Sequence, residues 1–511
     1  MNFIRFFSKI LAKPFYRYLI KPTKEPLEIQ KVLLAKILKI NQNTTFGKAH
    51  KFNQISSIKK FQEFLLPHSY EYFRPYIDKM TRGEKDILIP GNPLYWGKTA
   101  GSTGAPKLIP ITARSIKNAI RGTLLIYLSY IAENPREHSK FLDGTVCFFN
   151  ANPVIEYMNG IPVGFGTGVF NQSSQTQFWS PIYRKMTYST GHLFRIKNIQ
   201  QRYEQLVREI TQRDIRVFSG VTTVVLGLLE IILKYIQEKN PNIKCIKDLF
   251  PNYQFSILGG ESPKFYEPRL FSVIGERIDY REVYGATEEI IGVQLQDSPG
   301  LTPLLTANFL EFLPLNSTER LLIHEVKKQV EYKLLITNFN GLYTYMLGDV
   351  VKFISTDPPL FIFSHREGTI NMASEKMTVQ QISEALTLTN EEHNCSIMEY
   401  CVIGKYTPKP HYIFILEFLP HQTPQKEREY LQSLNQNLMI CNPVYREQLI
   451  GIRAMNEPIL WIVRKGTFSE LEQQNLERGL PMGQHKIQHL SINEKILQKF
   501  EDYIQKVVRL N

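Results

Sequence analysis

TAGSTGAPK, residues 99–107, is the most informative stretch of this sequence. It follows a strand-like segment at residues 93–96 and precedes a helix that is predicted to open near Thr112. A loop of glycines and small hydroxylic residues can turn successive backbone N–H groups toward a phosphate, and a lysine adds a point charge. The loop is not a Walker A motif, because Leu108 rather than Ser or Thr follows Lys107. It predicts a phosphate-binding turn, although a plain glycine-rich turn has the same pattern.

Two further motifs carry groups that a nucleotide site needs. YGATE, residues 284–288, offers the ring of Tyr284, the hydroxyl of Thr287 for a phosphate and the carboxylate of Glu288 for Mg²⁺. YMLGD, residues 345–349, is a glycine turn whose Asp349 could accept hydrogen bonds from both hydroxyls of a ribose. Taken alone, Asp349 is equally compatible with an exposed aspartate in a turn.

The 27 residues from 157 to 183 carry no charge and include glycines at positions 160, 164, 166 and 168. One interpretation is a neutral wall of a substrate cleft, with Val163, Thr167 and Phe170 at the substrate and glycines that let the backbone approach it. The other is a pair of buried strands kinked by glycine. The sequence leaves both interpretations open.

Composition indicates a globular protein. The 511 residues carry a formal net charge of +13, with 43% hydrophobic residues and 29 each of Gly and Pro, which excludes collagen-like and disordered classes. Five scattered cysteines favour a reducing compartment over a disulfide framework, so we expect a cytoplasmic protein. The basic residues form no run of five, and we therefore expect no nucleic-acid partner.

The N-terminal 24 residues hold six Lys and Arg and no acid, interleaved with large apolar side chains. This pattern predicts either a basic helix docked on its own domain, which Pro14 favours, or an amphipathic helix lying on an anionic membrane. The apolar run at residues 217–229 stops at Glu230 after 13 uncharged residues, which is too short for a membrane span.

The hydrophobic pattern predicts an α/β protein. Helical periodicity at residues 32–40, 114–131, 199–211 and 224–238 alternates with strand-like runs at residues 145–149, 215–218 and 254–258. Beyond residue 360 the pattern changes to strands at 400–402 and 412–416 and charged helices at 425–436 and 468–479. We predict a large N-terminal domain of mixed sheets and helices, residues 1–365, and a small α+β C-terminal domain, residues 366–511.

The order and spacing of the three motifs resemble those of adenylate-forming enzymes. More narrowly, the chain is identified as a member of the Gretchen Hagen (auxin-responsive) family of acyl acid amido synthetases. The segments that carry this resemblance lie along nearly the whole chain: QKVLLAKILKINQNTTFGKAHKF (30–52), FRPYIDKMTRGEKDIL (73–88), NGIPVGFGTG (159–168), SILGGE (256–261), NMASEKMT (371–378), KGTF (465–468) and GQHKIQHLS (483–491).

The resemblance implies a two-step reaction that uses ATP and Mg²⁺. A carboxylic acid attacks the α-phosphate to give acyl-AMP and pyrophosphate, and an amine, in particular an amino acid, then displaces AMP to form an amide. It also implies a C-terminal domain that moves about a hinge at Arg366, and we expect a monomer. The resemblance implies catalytic roles for Lys107, Thr287, Glu288 and Lys486, with Glu288 also as the metal ligand. The implied nucleotide-binding residues are Thr99, Gly101, Ser102, Thr103, Gly104, Gly259, Gly260, Glu261, Tyr284, Gly285, Asp349 and Arg366, and Tyr345 is the alternative to Tyr284 as the stacking ring. The implied acyl-binding residues are Val163, Thr167, Phe170, Val221 and Thr222.

Three alternatives stay open at this point. A thiol acceptor would give a thioester instead of an amide, and a degenerate member of the family would bind nucleotide without turnover. The adjacent acid Glu289 competes with Glu288 as the metal ligand.

Overall fold

Two units make up the chain in this computed structural model, which describes residues 2–98, 107–150, 152–170, 185–260, 262–315, 317–366, 370, 372–373, 375, 377–407, 409–451, 455–477 and 489–510. Met1–Pro263 with Phe271–Ser364 form the N-terminal unit, and Lys264–Leu270 with His365–Asn511 form the C-terminal unit. The sequence did not suggest that Lys264–Leu270, which is part of one helix, groups with the second unit.

The helices are spread over both units. They are α1 Asn2–Ile20, α2 Pro26–Asn41, α3 Thr45–Ala49, α4 Ile58–Phe64, α5 Tyr70–Thr81, α6 Ala113–Glu133, α7 Ile199–Ile210, α8 Thr222–Lys239, α9 Ile246–Leu249, α10 Pro263–Ile274, α11 Val379–His393, α12 Glu427–Cys441, α13 Pro443–Arg446, α14 Thr467–Glu477 and α15 Lys495–Gln498.

The strands form four sheets. They are β1 Tyr95–Lys98, β2 Leu108–Ile111, β3 Thr145–Phe149, β4 Glu156–Met158, β5 Ile161–Phe165, β6 Thr187–Ser189, β7 Ile215–Val221, β8 Phe255–Gly259, β9 Asp279–Ala286, β10 Glu289–Val293, β11 Thr302–Pro303, β12 Phe309–Pro314, β13 Glu331–Thr337, β14 Tyr345–Thr356, β15 Pro359–Arg366, β16 Ile397–Lys405, β17 His411–Phe418, β18 Ile459–Val463, β19 Leu490–Ser491 and β20 Ile504–Val508.

The main sheet of the N-terminal unit has the order β11-β10-β9-β8-β7-β3-β6. Strands β6, β3, β7, β8 and β9 run parallel, whereas β10 and β11 are antiparallel additions. The continuous apolar runs that predicted β3, β7 and β8 are typical of parallel strands that are covered on both faces. Two smaller sheets of the same unit have the orders β2-β1-β5-β4 and β12-β13-β14-β15.

The C-terminal unit is built on the five-stranded sheet β19-β16-β17-β18-β20. Every residue of β17 is buried, and its side chains alternate between two clusters. Phe414 and Leu416 pack with Leu386 of α11 and Leu434 of α12, whereas Ile413 and Ile415 pack with Phe468 and its neighbours at α14. Helices on both faces of one sheet therefore supply this unit with its own core.

The predicted fold class is confirmed, since sheets and helices mix in the large unit and a smaller α+β unit follows. The four predicted helices correspond to α2, α6, α7 and α8, and the strand predicted at residues 145–149 is β3 itself. The N-terminal basic stretch forms α1, which continues through Pro14. Among the described residues, no helix is both long and apolar enough to cross a membrane.

Candidate active site

The predicted nucleotide and acyl segments meet where the parallel strands end. In the sheet register Val221 at the end of β7 pairs with Gly259 at the end of β8, and Gly259 pairs with Val283 near the end of β9. The Thr222 hydroxyl lies 3.3 Å from the Gly259 carbonyl oxygen. The carboxyl edge of a parallel sheet is the usual position of a ligand site in such folds. The sequence elements assigned to adenine and to the acyl group are thus neighbours.

Thr287, in the turn between β9 and β10, lies against two glycines from other motifs. A methyl group added at Gly97 would lie 2.5 Å from Thr287 Cγ2, and one added at Gly166 would lie 3.1 Å from its hydroxyl oxygen. Gly97 belongs to β1, which leads into the TAGSTGAPK loop, and Gly166 belongs to the uncharged stretch. Glycine at these positions therefore lets three separate segments converge on the Thr287 side chain, with Gly97 at its methyl group and Gly166 at its hydroxyl group.

A short hydrogen bond joins the second and third motifs. The Tyr284 hydroxyl donates to Asp349 Oδ2 at 2.7 Å, and both side chains are buried. The register between β13 and β14 shifts at this point, and Gly348 adopts a positive φ of 84°. A glycine in the left-handed region at a bulge redirects the strand, and here it turns Asp349 toward Tyr284. The Tyr284 ring packs against Phe361 and Phe363 of β15, each with ring centroids 5.8 Å away.

Glu288 is fixed through both its side chain and its backbone. The Tyr345 hydroxyl donates to Glu288 Oε1 at 3.1 Å. The side-chain amides of Asn338 and Asn340 donate to the Glu288 carbonyl oxygen at 3.1 and 2.9 Å. Asn340 Oδ1 also accepts from the backbone N–H of Thr112, the residue that caps α6. Neither asparagine was predicted from the sequence, where the available signal was a pair of uncharged amides, NFN, that four residues separate from YMLGD.

The next residue, Glu289, is completely buried. Its Oε1 accepts the backbone N–H of Ile290 at 3.2 Å. Burial raises the pKa of the Glu289 carboxyl to about 8, an effect that hydrogen-bonding groups of Ser115, Ile290 and Asn118 reduce only in part. Glu289 is therefore protonated at neutral pH, and a neutral carboxyl is a poor ligand for a divalent cation.

Two predicted assignments need correction. Val163 is fully buried in the main core, where it pairs with Trp96, so its side chain does not line an open substrate wall. Tyr345 is also fully buried and is bonded to Glu288, so its ring offers no open face for adenine. Both corrections have the same cause: both side chains belong to the main hydrophobic cluster of the N-terminal unit, which an isolated motif does not reveal.

The remaining predicted residues have varied positions. The Lys107 ammonium lies over the Tyr70 ring, 5.5 Å from its centroid, and the Tyr70 hydroxyl both accepts from the N–H and donates to the carbonyl of Leu108. Thr167 is exposed, Phe170 is half-buried and Gly260 has a positive φ. Gly285 pairs with Ile290 one residue before the end of β9, and Arg366 ends β15. The predicted residues that lie outside the described ones are Thr99, Gly101, Ser102, Thr103, Gly104, Glu261 and Lys486.

Three models of one protein family match successive parts of the chain. The GH3 family N-terminal domain matches residues 16–247, the central domain matches residues 301–366 and the C-terminal domain matches residues 380–495. The chain belongs to the GH3 family. This is the Gretchen Hagen family that the sequence motifs indicated, so that prediction is confirmed.

Known GH3 proteins and more distant ligases share the fold. The jasmonoyl--L-amino acid synthetase JAR4 of Nicotiana attenuata is 22% identical, over 91% of each chain. The solved structure of AtGH3.15 acyl acid amido synthetase in complex with 2,4-DB covers 98% of this chain and 97% of its own, with a TM-score of 0.82 and 19% identity. A 2-hydroxyisobutyryl-CoA ligase, at TM-score 0.57 and 11% identity, covers 87% of this chain and 91% of its own. The predicted enzyme class, an amide-forming ligase, is confirmed along with the family.

Proposed function

We propose that this GH3 protein activates a carboxylic acid with ATP as acyl-AMP and transfers the acyl group to an amine, in particular to an amino acid. The observation that carries the proposal is the hydrogen-bonded union of the YGATE and YMLGD motifs. Tyr284 bonds to Asp349, and Tyr345 bonds to Glu288, at the carboxyl edge of the parallel sheet. Groups suited to a phosphate, a ribose and a metal ion are thereby assembled in one place.

The described residues fit a nucleotide. The Thr287 hydroxyl lies where Gly97 and Gly166 leave room for close approach, and there it would donate to the α-phosphate. Asp349, held by Tyr284, would accept the ribose hydroxyls, and Gly259, Gly260 and Glu261 would flank the adenine. In the same assignment Thr99, Gly101, Ser102, Thr103 and Gly104 cradle the β- and γ-phosphates with Lys107.

The residues also fit one Mg²⁺ ion beside the nucleotide. Magnesium is usually held by one or two carboxylates together with substrate phosphates, rather than by a cage of protein ligands. The described part of the chain contains no cluster of three or more His, Cys, Asp or Glu side chains able to form such a cage. Both glutamates are buried, and we assign the ion to Glu288 because burial raises the pKa of Glu289 to about 8 and so disfavours its charged form. The ion would neutralise charge on the phosphates as pyrophosphate leaves.

Charge develops on the α-phosphate oxygens and the leaving pyrophosphate in the first step. Donors and cations aimed at those oxygens therefore accelerate it, and we assign this role to Thr287, Lys107 and Lys486. The carboxylate nucleophile needs no general base. For the acyl group we assign Thr167, Phe170, Val221 and Thr222, because the last two lie beside Gly259.

We further propose that the C-terminal unit moves about Arg366 between the two steps, and that the enzyme works as a cytoplasmic monomer. Its five cysteines are free thiols, which supports a reducing compartment.

Carboxylate-dependent exchange of labelled pyrophosphate into ATP tests the first step. The assay uses aryl, indolyl and fatty acids, with Glu288→Ala and Asp349→Ala as variants. The proposal expects exchange that depends on one class of acid and that both variants lose. Exchange that persists in both variants, or ATP binding by calorimetry without any exchange, would contradict it.

A second assay identifies the acceptor. The acid found by exchange is incubated with ATP and either amino acids or coenzyme A, and the products are separated by mass. Amide formation supports the proposal. Thioester formation without amide would reassign the protein to the thiol-using branch that the 2-hydroxyisobutyryl-CoA ligase represents.

A further inference from the structure

Helix α1 turns an apolar, aromatic face away from the protein. Its opposite face is docked: Ala12 is fully buried, Tyr16 and Ile20 pack on the same cluster, and Arg5 pairs with Asp143. The outward side chains are large and apolar, with exposed fractions of 59% for Phe6, 56% for Ile10, 51% for Leu11, 49% for Phe15 and 69% for Tyr18.

These five residues lie on the outward side of the helix and are called the stripe below. Positions 11, 15 and 18 follow the i, i+4, i+7 pattern, and positions 6 and 10 form a second row roughly a third of a turn around the axis. Both rows face away from the docked residues Ala12 and Tyr16. A soluble domain ordinarily docks a helix by its apolar stripe. Here the docked face includes an ion pair, and aromatic side chains remain in water. Contiguous apolar surface of this kind marks an interaction site.

The charged side chains within residues 1–24 are all basic. Lys13, Arg17, Lys21 and Lys24 are exposed along and after the helix, and residues 1–24 contain no acid. A polybasic flank on an apolar helix face complements an anionic phospholipid surface, where each Lys or Arg near the headgroups adds to the attraction.

A cationic pocket lies between α2 and α6. It has a volume of about 330 Å³, and its lining includes Lys36 of α2 and Arg114, Lys117 and Arg121 of α6. Helix α6 also packs against α1, because Tyr16 and Ile20 of α1 share a cluster with Ala119 of α6. No acid is among the residues that line the pocket, all of which the structure describes. A headgroup phosphate fits both the size and the charge of such a pocket.

We propose that α1 holds this enzyme on the surface of an anionic phospholipid bilayer. The stripe of Phe6, Ile10, Leu11, Phe15 and Tyr18 lies among the acyl chains near the headgroups. The basic flank and the pocket contact the headgroups, and the docked face keeps the rest of the N-terminal unit at the surface. The helix lies in the plane of the interface and does not cross it. This inference is independent of the proposed reaction, because none of these residues belongs to the assigned nucleotide or acyl site.

The test is vesicle flotation of the full-length protein. Vesicles of phosphatidylcholine alone are compared with vesicles that also contain phosphatidylglycerol, at low and at high salt. We expect binding only to the anionic vesicles, with a partition coefficient that falls at least about tenfold in high salt. If the wild-type protein does not bind anionic vesicles at low salt, the proposal is overturned.

Matched variants locate the contact. Ile10→Gln with Phe15→Gln removes part of the stripe, and Lys13→Glu with Arg17→Glu reverses part of the flank. Each pair is expected to lower the partition coefficient at least about tenfold. The control, Ile440→Gln with Ile450→Gln, replaces two exposed apolar residues of the C-terminal unit, and this variant should bind as the wild type does. Equal loss in control and test variants contradicts a specific surface.

Two further measurements keep the result interpretable. Pyrophosphate exchange in solution, without vesicles, shows that the α1 variants are folded, since they should retain the wild-type rate. Sedimentation without vesicles tests the competing occupant of the stripe, a second copy of the chain. A dimer that the Ile10 and Phe15 substitutions dissociate would replace the membrane proposal.

Discussion

Two adjacent glutamates, Glu288 and Glu289, have opposite environments because successive residues entering a strand point to opposite faces. Glu288 is bonded to Tyr345 on the side of the candidate site. Glu289 is enclosed by α6, and burial raises its pKa to about 8. For this reason we propose Glu288 rather than Glu289 as the metal ligand, a choice that the sequence left open.

Glu288→Gln should lower pyrophosphate exchange by roughly a hundredfold or more, since an amide removes the charge that holds the metal. The fold should survive, because Asn338 and Asn340 bond to the backbone of Glu288 rather than to its side chain. Exchange is measured over a range of Mg²⁺ concentrations. Glu289→Gln is the matched control and should keep most of the activity at neutral pH. Equal loss in the two variants would reject Glu288 as the specific ligand.

Glu289 also predicts a pH dependence of stability. Its folded-state pKa of about 8 lies above that of an unfolded glutamate, so between those values the folded chain holds a proton that the unfolded chain has lost. The free energy of unfolding therefore falls as pH rises through this range and levels off above it. Glu289→Gln stays neutral and should reduce this fall by roughly 2–4 kcal/mol.

Urea unfolding at several pH values between acid and alkaline conditions measures this effect. Glu319→Gln, at an exposed position on the same unit, is the control and should follow the wild type. If the free energies of unfolding of the wild type and of Glu289→Gln change with pH in parallel, the buried carboxyl does not cause the pH dependence of stability.

At the scale of elements, the contact between β1 and the turn before β10 carries the candidate phosphate site. Gly97→Ala would place a methyl group 2.5 Å from Thr287 Cγ2 and 2.8 Å from Ile111 Cδ1, so one of those side chains must move. Displacing Thr287 by a fraction of an ångström should lower the exchange rate about tenfold or more.

Gly227→Ala, in α8, is the matched control because nothing lies within 4 Å of the added methyl group. It should leave exchange unchanged and raise the melting temperature slightly, since Ala is the better helix former. If Gly97→Ala keeps full activity at unchanged stability, the contact between β1 and Thr287 does not position the phosphate site.

At the scale of the whole molecule, the two units have separate cores. Leu334 is buried in the main cluster of the N-terminal unit, and Leu416 is buried in the main cluster of the C-terminal unit. We expect two calorimetric transitions. Leu334→Ala and Leu416→Ala should each cost about 2–5 kcal/mol and should each lower a different transition. A single transition that either substitution shifts equally would show that the units unfold together.

Much of the site was visible in the sequence because motifs report local chemistry. YGATE and YMLGD specified a threonine hydroxyl, two carboxylates and two tyrosines, and strand-like apolar runs predicted β3, β7 and β8 of the parallel sheet. The resemblance to the family rested on segments spread along the chain, and it was confirmed. The α/β class, the order of the main elements and the reaction class needed only these local patterns.

The tertiary structure alone decided which residues face the site. Val163 and Tyr345 proved to be buried, Asn338 and Asn340 proved to hold Glu288, and Gly97 proved to face Thr287. Each of these outcomes depends on contacts between segments far apart in the chain. A sequence pattern reports a residue's own chemistry and its period along one element. The burial of a side chain, the pKa of Glu289 and the exposure of the α1 stripe depend on which other elements pack against that part of the chain.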